Sequence, residues 1–191
     1  MRAAKAKELA SAMLSGQRLA HTANVAVLAR ELAGLYGADE EKAEAAAWLH
    51  DIMKEHSRET LLQMAVQDDI ISEWFAHNPP PTWHGPAAAL YLRTVHGCED
   101  DELLAAIAGH TTGRAGMDLL EKIIYLADAA SAERDDPGVD ALRRLARQDL
   151  DDAVLAAMER TLSFLQETGR PIGEETLRAM QSLRQGKDGV Q

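Results

Sequence analysis

The stretch ADEEKAEAAAWLHD, residues 38–51, decides the fold. Asp39 stands where a side-chain oxygen caps a helix, and Glu40 and Glu41 put negative charge in the first turn. Alanines, the strongest intrinsic helix formers, follow. The predicted helix carries Trp48, Leu49, His50 and Asp51 near its end. The same grammar continues on both sides. Helices are expected over about 3–14 and from Gln17 to about Tyr36, the second with Leu28, Leu32 and Leu35 on one face and Gly37 at its end. Ser57 reads as the cap of a helix reaching about Gln67. His77-Asn78-Pro79-Pro80-Pro81 reads as a loop that cannot be helical, and Gly85-Pro86 puts His84 at a helix start. Further helices are expected over about Asp100–His110, Met117–Ala132, 139–148, 150–168 and Glu174–Arg184, with residues 186–191 frayed.

Composition agrees. The 191 residues are 46% apolar and only 4% aromatic, which favours an all-α, single-domain helical bundle with a real core. A net charge of −11 argues against a general grip on polymeric DNA or RNA. It does not exclude an anionic small molecule, because metal ions and a few placed Lys or Arg side chains can reverse the sign inside one cleft. The single cysteine, Cys98, fits a reducing compartment, so the cytoplasm is expected. No stretch approaches the roughly 20 apolar residues of a membrane span.

His21, His50, Asp51, His84, His110 and Asp128 stand out as candidate metal ligands. An aspartate inside the apolar run Tyr125-Leu126-Ala127-Asp128 is costly to bury unless it is paired or metal-bound. The adjacent pair His50-Asp51 lets an imidazole bind one metal while a two-oxygen carboxylate bridges to a second. Two first-row metals held in this way can activate a bridging hydroxide and stabilise an in-line phosphoryl displacement, so Asp51 is also a catalytic candidate. Oxygen-binding helical diiron proteins offer another reading, but their paired Glu-x-x-His motifs are missing here.

With these residues in place, the chain resembles the HD phosphohydrolase superfamily, whose pattern of a histidine, a His-Asp pair and a distant aspartate matches His21, His50-Asp51 and Asp128. The strings His50-Asp51-Ile52-Met53-Lys54, His84-Gly85-Pro86, Gly109-His110-Thr111-Thr112-Gly113-Arg114, Leu126-Ala127-Asp128 and Gly169-Arg170-Pro171-Ile172 look like those of the YqeK-type symmetrical bis(5'-nucleosyl)-tetraphosphatases. Two departures stand out. Ala88 replaces a common glycine, and Ala129-Ala130-Ser131-Ala132-Glu133 follows Asp128 where the family usually carries an aromatic residue and a Glu-Pro step. The resemblance implies a diiron enzyme that cuts diadenosine tetraphosphate into two ADP. On that reading residues 1–16 form an N-terminal helix, 17–185 the catalytic domain and 186–191 a tail. Manganese, cobalt, nickel or zinc would suit the same ligands, and other HD-type nucleotide hydrolysis or a non-catalytic module are the competing readings. Lys54, Thr111, Thr112, Gly113, Arg114 and Arg134 are the expected contacts to a dinucleoside polyphosphate or nucleotide, with Lys54 also a catalytic candidate beside Asp51. A homodimer is left open.

Overall fold

The structure, a computed structural model, describes residues 1–188. Its helices are α1 (Ala3–Met13), α2 (Gly16–Tyr36), α3 (Glu40–Leu49), α4 (Arg58–Ala65), α5 (Asp69–His77), α6 (His84–His96), α7 (Asp101–Gly109), α8 (Leu119–Ala130), α9 (Val139–Leu145), α10 (Leu150–Glu167) and α11 (Glu174–Asp188). No strand occurs among the described residues, so the chain is all-α.

Local chemistry accounts for the boundaries. The Asp39 carboxylate accepts from the Lys42 amide, and the Ser57 hydroxyl from that of Thr60, each taking one of the donors a first turn leaves unpaired. Asp118 and Glu121 close a reciprocal capping box on α8. Gly37 ends α2 in the left-handed region, at φ 74°.

The core is built around α8, which packs against α2, α3, α7 and α10. Leu120, Ile123, Ile124 and Leu126 of α8 are fully buried. On α3, Ala43, Ala45, Ala46 and Ala47 are buried, and on the facing α1 so are Ala3, Ala6 and Ala10. Small side chains let these axes approach, so alanine here serves packing as well as propensity. Among the described residues no helix is long and apolar enough to cross a membrane.

Three expectations need correction. Residues 69–77 form α5, which the sequence did not suggest; Asp68 caps it by accepting from the Ile71 amide. The proline segment is not wholly irregular, because Pro80–Thr82 makes a 3-10 turn, where a first turn needs no amide donor from proline. The last helix reaches Asp188, so residues 186–188 continue α11; residues 189–191 lie outside the described part.

Candidate metal centre

Separate helix ends and faces deliver the six candidate ligands to one point. His50 is the C-cap of α3 and His110 that of α7, His84 opens α6, His21 lies inside α2 and Asp128 near the end of α8. His50, Asp51, His84 and His110 are buried. The approach of α6 to α7 depends on Gly85, where a Cβ would lie 2.6 Å from the Ala108 carbonyl oxygen. Without that side chain in the way, the Nε2 atoms of His84 and His110 come within 2.9 Å.

Asp51 sits in the middle with its two oxygens facing different histidines. Oδ1 lies 3.1 Å from His84 Nε2 and 3.6 Å from His110 Nε2. Oδ2 lies 3.6 Å from His50 Nε2 and 3.9 Å from His21 Nε2. Asp128 Oδ1 is 3.1 Å from His21 Nε2. The sets His21–His50–Asp51 and Asp51–His84–His110 each keep their ligand atoms within 4.8 Å of one another and share Asp51.

The ring nitrogens fit a metal. Nδ1 of His50 faces the Ala47 carbonyl at 2.6 Å, that of His110 the Ile107 carbonyl at 2.8 Å and that of His84 the Pro81 carbonyl at 3.0 Å. A carbonyl only accepts, so each Nδ1 carries the proton and each Nε2 turns a bare lone pair into the cluster. His50 Nε2 is buried without a hydrogen-bond partner. Two bare lone pairs 2.9 Å apart, as on His84 and His110, repel unless a cation lies between them.

The electrostatics point the same way. Burial pushes His84 down to about 3 and also lowers His50, keeping both rings neutral and ready to ligate. Burial alone would raise the Asp51 and Asp128 carboxyls, yet the positive charge and hydrogen bonds offered to them, the Arg134 guanidinium on Asp128 among these, hold both well below the usual carboxylate range.

Cations ring the cluster. Arg18 donates from Nη1 to Asp51 Oδ2 at 2.9 Å, Arg134 from Nη2 to Asp128 Oδ1 at 2.8 Å, and Lys54 Nζ lies 3.2 Å from His84 Nε2. Arg18 was not singled out in the sequence, although it stands one turn before His21 on the same helix face.

The turn after His110 divides differently from expectation. Thr112 is buried and donates to the Gly113 carbonyl at 2.9 Å. Gly113, at φ 66°, sits in the left-handed region that disfavours a side chain, and a Cβ there would also press on Met158 and lie 3.1 Å from Ala179 Cβ. Both residues shape the turn. Arg114 does not join the cluster: its guanidinium makes a two-pronged pair with the buried Glu121 and also donates to the Ala115 and Gly116 carbonyls. Thr111 is different, because its buried hydroxyl has no partner among the described residues and it lines a cleft of about 720 Å³. That cleft is lined by His110 and Asp128 of the cluster together with Arg134, Arg160, Thr161 and Phe164. A smaller cleft, about 450 Å³, is lined by Arg18, His21, Asn24, Glu133 and Arg134, the last shared with the larger one. His77 pairs with Glu174 at 3.5 Å, away from the centre.

Fold and cluster together define a class, the helical bundles that hold divalent metal on histidine and aspartate for phosphate chemistry. Residues 18–133 match the HD domain. Over 163 residues, 85% of this chain and 87% of the other, the sequence is 39% identical to a Bacillus subtilis protein named "Bis(5'-nucleosyl)-tetraphosphatase, symmetrical". A protein of the same name from Halalkalibacterium halodurans is 37% identical over 183 residues, 96% of this chain and 97% of that one. The crystal structure of a "predicted HD superfamily hydrolase involved in NAD metabolism" from Clostridium acetobutylicum superposes with a TM-score of 0.85 at 33% identity, over 95% of this chain and 96% of that one. The chain belongs to the HD-domain family, in the branch of the symmetrical bis(5'-nucleosyl)-tetraphosphatases.

Proposed function

We propose that this protein hydrolyses diadenosine tetraphosphate symmetrically into two ADP with two first-row metal ions, iron first among them. The observation that carries the reading is Asp51, whose two oxygens face two different histidine pairs. Asp51 would bridge, with His21, His50 and Asp128 completing one site and His84 and His110 the other. Bound there, the metals supply Lewis acidity and a water nucleophile active at neutral pH.

The chain's own residues then position the substrate. Arg18, Lys54 and Arg134 surround the cluster with positive charge and would draw an inner phosphate of the polyanion onto it. The unpartnered Thr111 hydroxyl is free to donate to a phosphate oxygen. The cleft lined by His110, Tyr125 and Phe164, at about 720 Å³, has the volume and the aromatic side chains to take one nucleoside. With an inner phosphate held at the cluster and the central bridging oxygen in line with the attacking water, a nucleoside diphosphate would be the leaving group. The catalytic body is taken as residues 17–185 and the setting as the cytoplasm, with a small dinucleotide rather than a nucleic-acid polymer as partner.

The test is product analysis at early times after reconstitution with each metal, with labelled water to mark the attacked phosphorus. Two ADP and no AMP plus ATP are expected. Equimolar AMP and ATP would overturn symmetrical cleavage, and turnover confined to mononucleotides or cyclic nucleotides would shift the assignment to another HD-type activity.

A further inference from the structure

Three of the clustered histidines orient themselves from within their own stretch of chain, and His21 does not. His50, His84 and His110 each meet the carbonyl three residues back, an option open to them because they sit at helix termini. Carbonyls of a last helical turn have no backbone donor, so a ring N–H can use them. His21 lies inside α2, where backbone amides already occupy the carbonyls one turn back. Its Nδ1 meets instead the carboxylate of Glu133, 112 residues away in sequence.

Glu133 is itself fixed. Its Oε2 accepts from Asn24 Nδ2 at 2.8 Å, and its Oε1 accepts from the Ser131 hydroxyl at 2.7 Å as well as from His21. Asn24 lies one turn after His21 on α2, so α2 and the segment after α8 grip the same carboxylate. A carboxylate accepting from Nδ1 fixes the tautomer, turns the Nε2 lone pair toward Asp51 and Asp128, and makes that nitrogen a stronger donor to metal.

We infer that Glu133, held by Asn24 and Ser131, is the positioning residue that aims and tautomerically locks His21 for metal. The inference rests on the reading of His21 as a ligand and extends it to residues outside the ligand set. It also gives a physical role to the unusual segment Ala129–Glu133: Ser131 and Glu133 together carry the contact.

The test uses the full chain, wild type and with Glu133→Ala or Glu133→Gln. In the metal-free protein, at a pH high enough to keep every imidazole neutral, nitrogen-15 NMR should show His21 as a single Nδ1–H tautomer in wild type and a tautomer mixture in Glu133→Ala, with the His50 and His110 signals unmoved. Titration with Mn(II) or Co(II) should show dissociation about 10- to 100-fold weaker in Glu133→Ala. Glu133→Gln keeps an acceptor oxygen for Nδ1 and should restore most of the affinity. Glu133 is partly exposed, so a folded variant is expected, and circular dichroism checks it. An unchanged His21 tautomer together with wild-type affinity in Glu133→Ala would overturn the inference. Failure of wild type to take up metal would overturn the ligand reading instead, and the tautomer comparison would still decide the role of Glu133.

Discussion

At the scale of single residues, what a side chain touches outweighs the motif it sits in. Arg114 follows a Thr-Thr-Gly turn beside a metal cluster, a setting that suggests phosphate, yet its guanidinium is committed to Glu121. Glu121 is buried and also accepts from the Asp118 amide in the capping box, so it anchors the start of α8. Removing Arg114 leaves that carboxylate short of its cation. Hydrogen bonds to charged groups are worth about 1.5–3 kcal/mol, so Arg114→Ala is expected to cost roughly 2–3 kcal/mol of stability, read from the urea midpoint. Metal stoichiometry and the specificity constant at low temperature should stay at wild-type values. A variant of normal stability with a tenfold loss of specificity constant would return Arg114 to the substrate site.

At the scale of elements, the same distinction explains what could be read from the sequence. Several helix starts with a local cap were legible: Asp39, Ser57 and Asp100 each meet an amide three residues on. The candidate ligands were legible too, because His50-Asp51, His84 and His110 sit beside helix boundaries marked by local signals. Helix α5 went unread although Asp68 caps it and Ile71, Trp74 and Phe75 share a face, because its nine residues run directly into the proline segment. Arg18 on Asp51 and Glu133 on His21 were beyond reach, because those partners are 33 and 112 residues apart. The clefts belong to the same category. Phe164 of α10 is half exposed and lines the larger one, with Arg170 stacked 5.1 Å from its ring centre. If a base lies against the open part of that ring, Phe164→Ala removes a stacking contact worth about 1–3 kcal/mol. KM for diadenosine tetraphosphate is then expected to rise by roughly one to two decades, with hydrolysis of inorganic tetraphosphate unchanged. Equal loss on both substrates would move the nucleoside out of this cleft.

At the scale of the whole molecule, the metal centre is also a question of stability. The cluster joins α2, α3, α6, α7 and α8, and it sets two carboxylates among imidazoles whose Nε2 lone pairs point at one another. Without a cation that arrangement works against the packing of α8 on α2, α3 and α7. An ion that binds the folded chain and not the unfolded one adds RT ln(1 + [L]/Kd), about 2.7 kcal/mol at a hundredfold excess over Kd. For a chain of 150–250 residues each kcal/mol raises Tm by about 2–4 °C, so Mn(II), Co(II) or Fe(II) should raise Tm by roughly 5–11 °C. The shift separates the candidate roles without any assay of activity. Asp51→Ala removes the residue common to both ligand sets and should abolish the increment, whereas Arg114→Ala should lower Tm with and without metal by the same amount. Glu133→Ala should retain the increment but require about 10- to 100-fold more metal to reach it, because the ligands persist and only the aim of His21 is lost. A wild-type Tm that ignores every metal would mean that the buried histidines and aspartates are held by their mutual hydrogen bonds alone, and the hydrolytic reading would then have to be rebuilt on Arg18, Lys54 and Arg134.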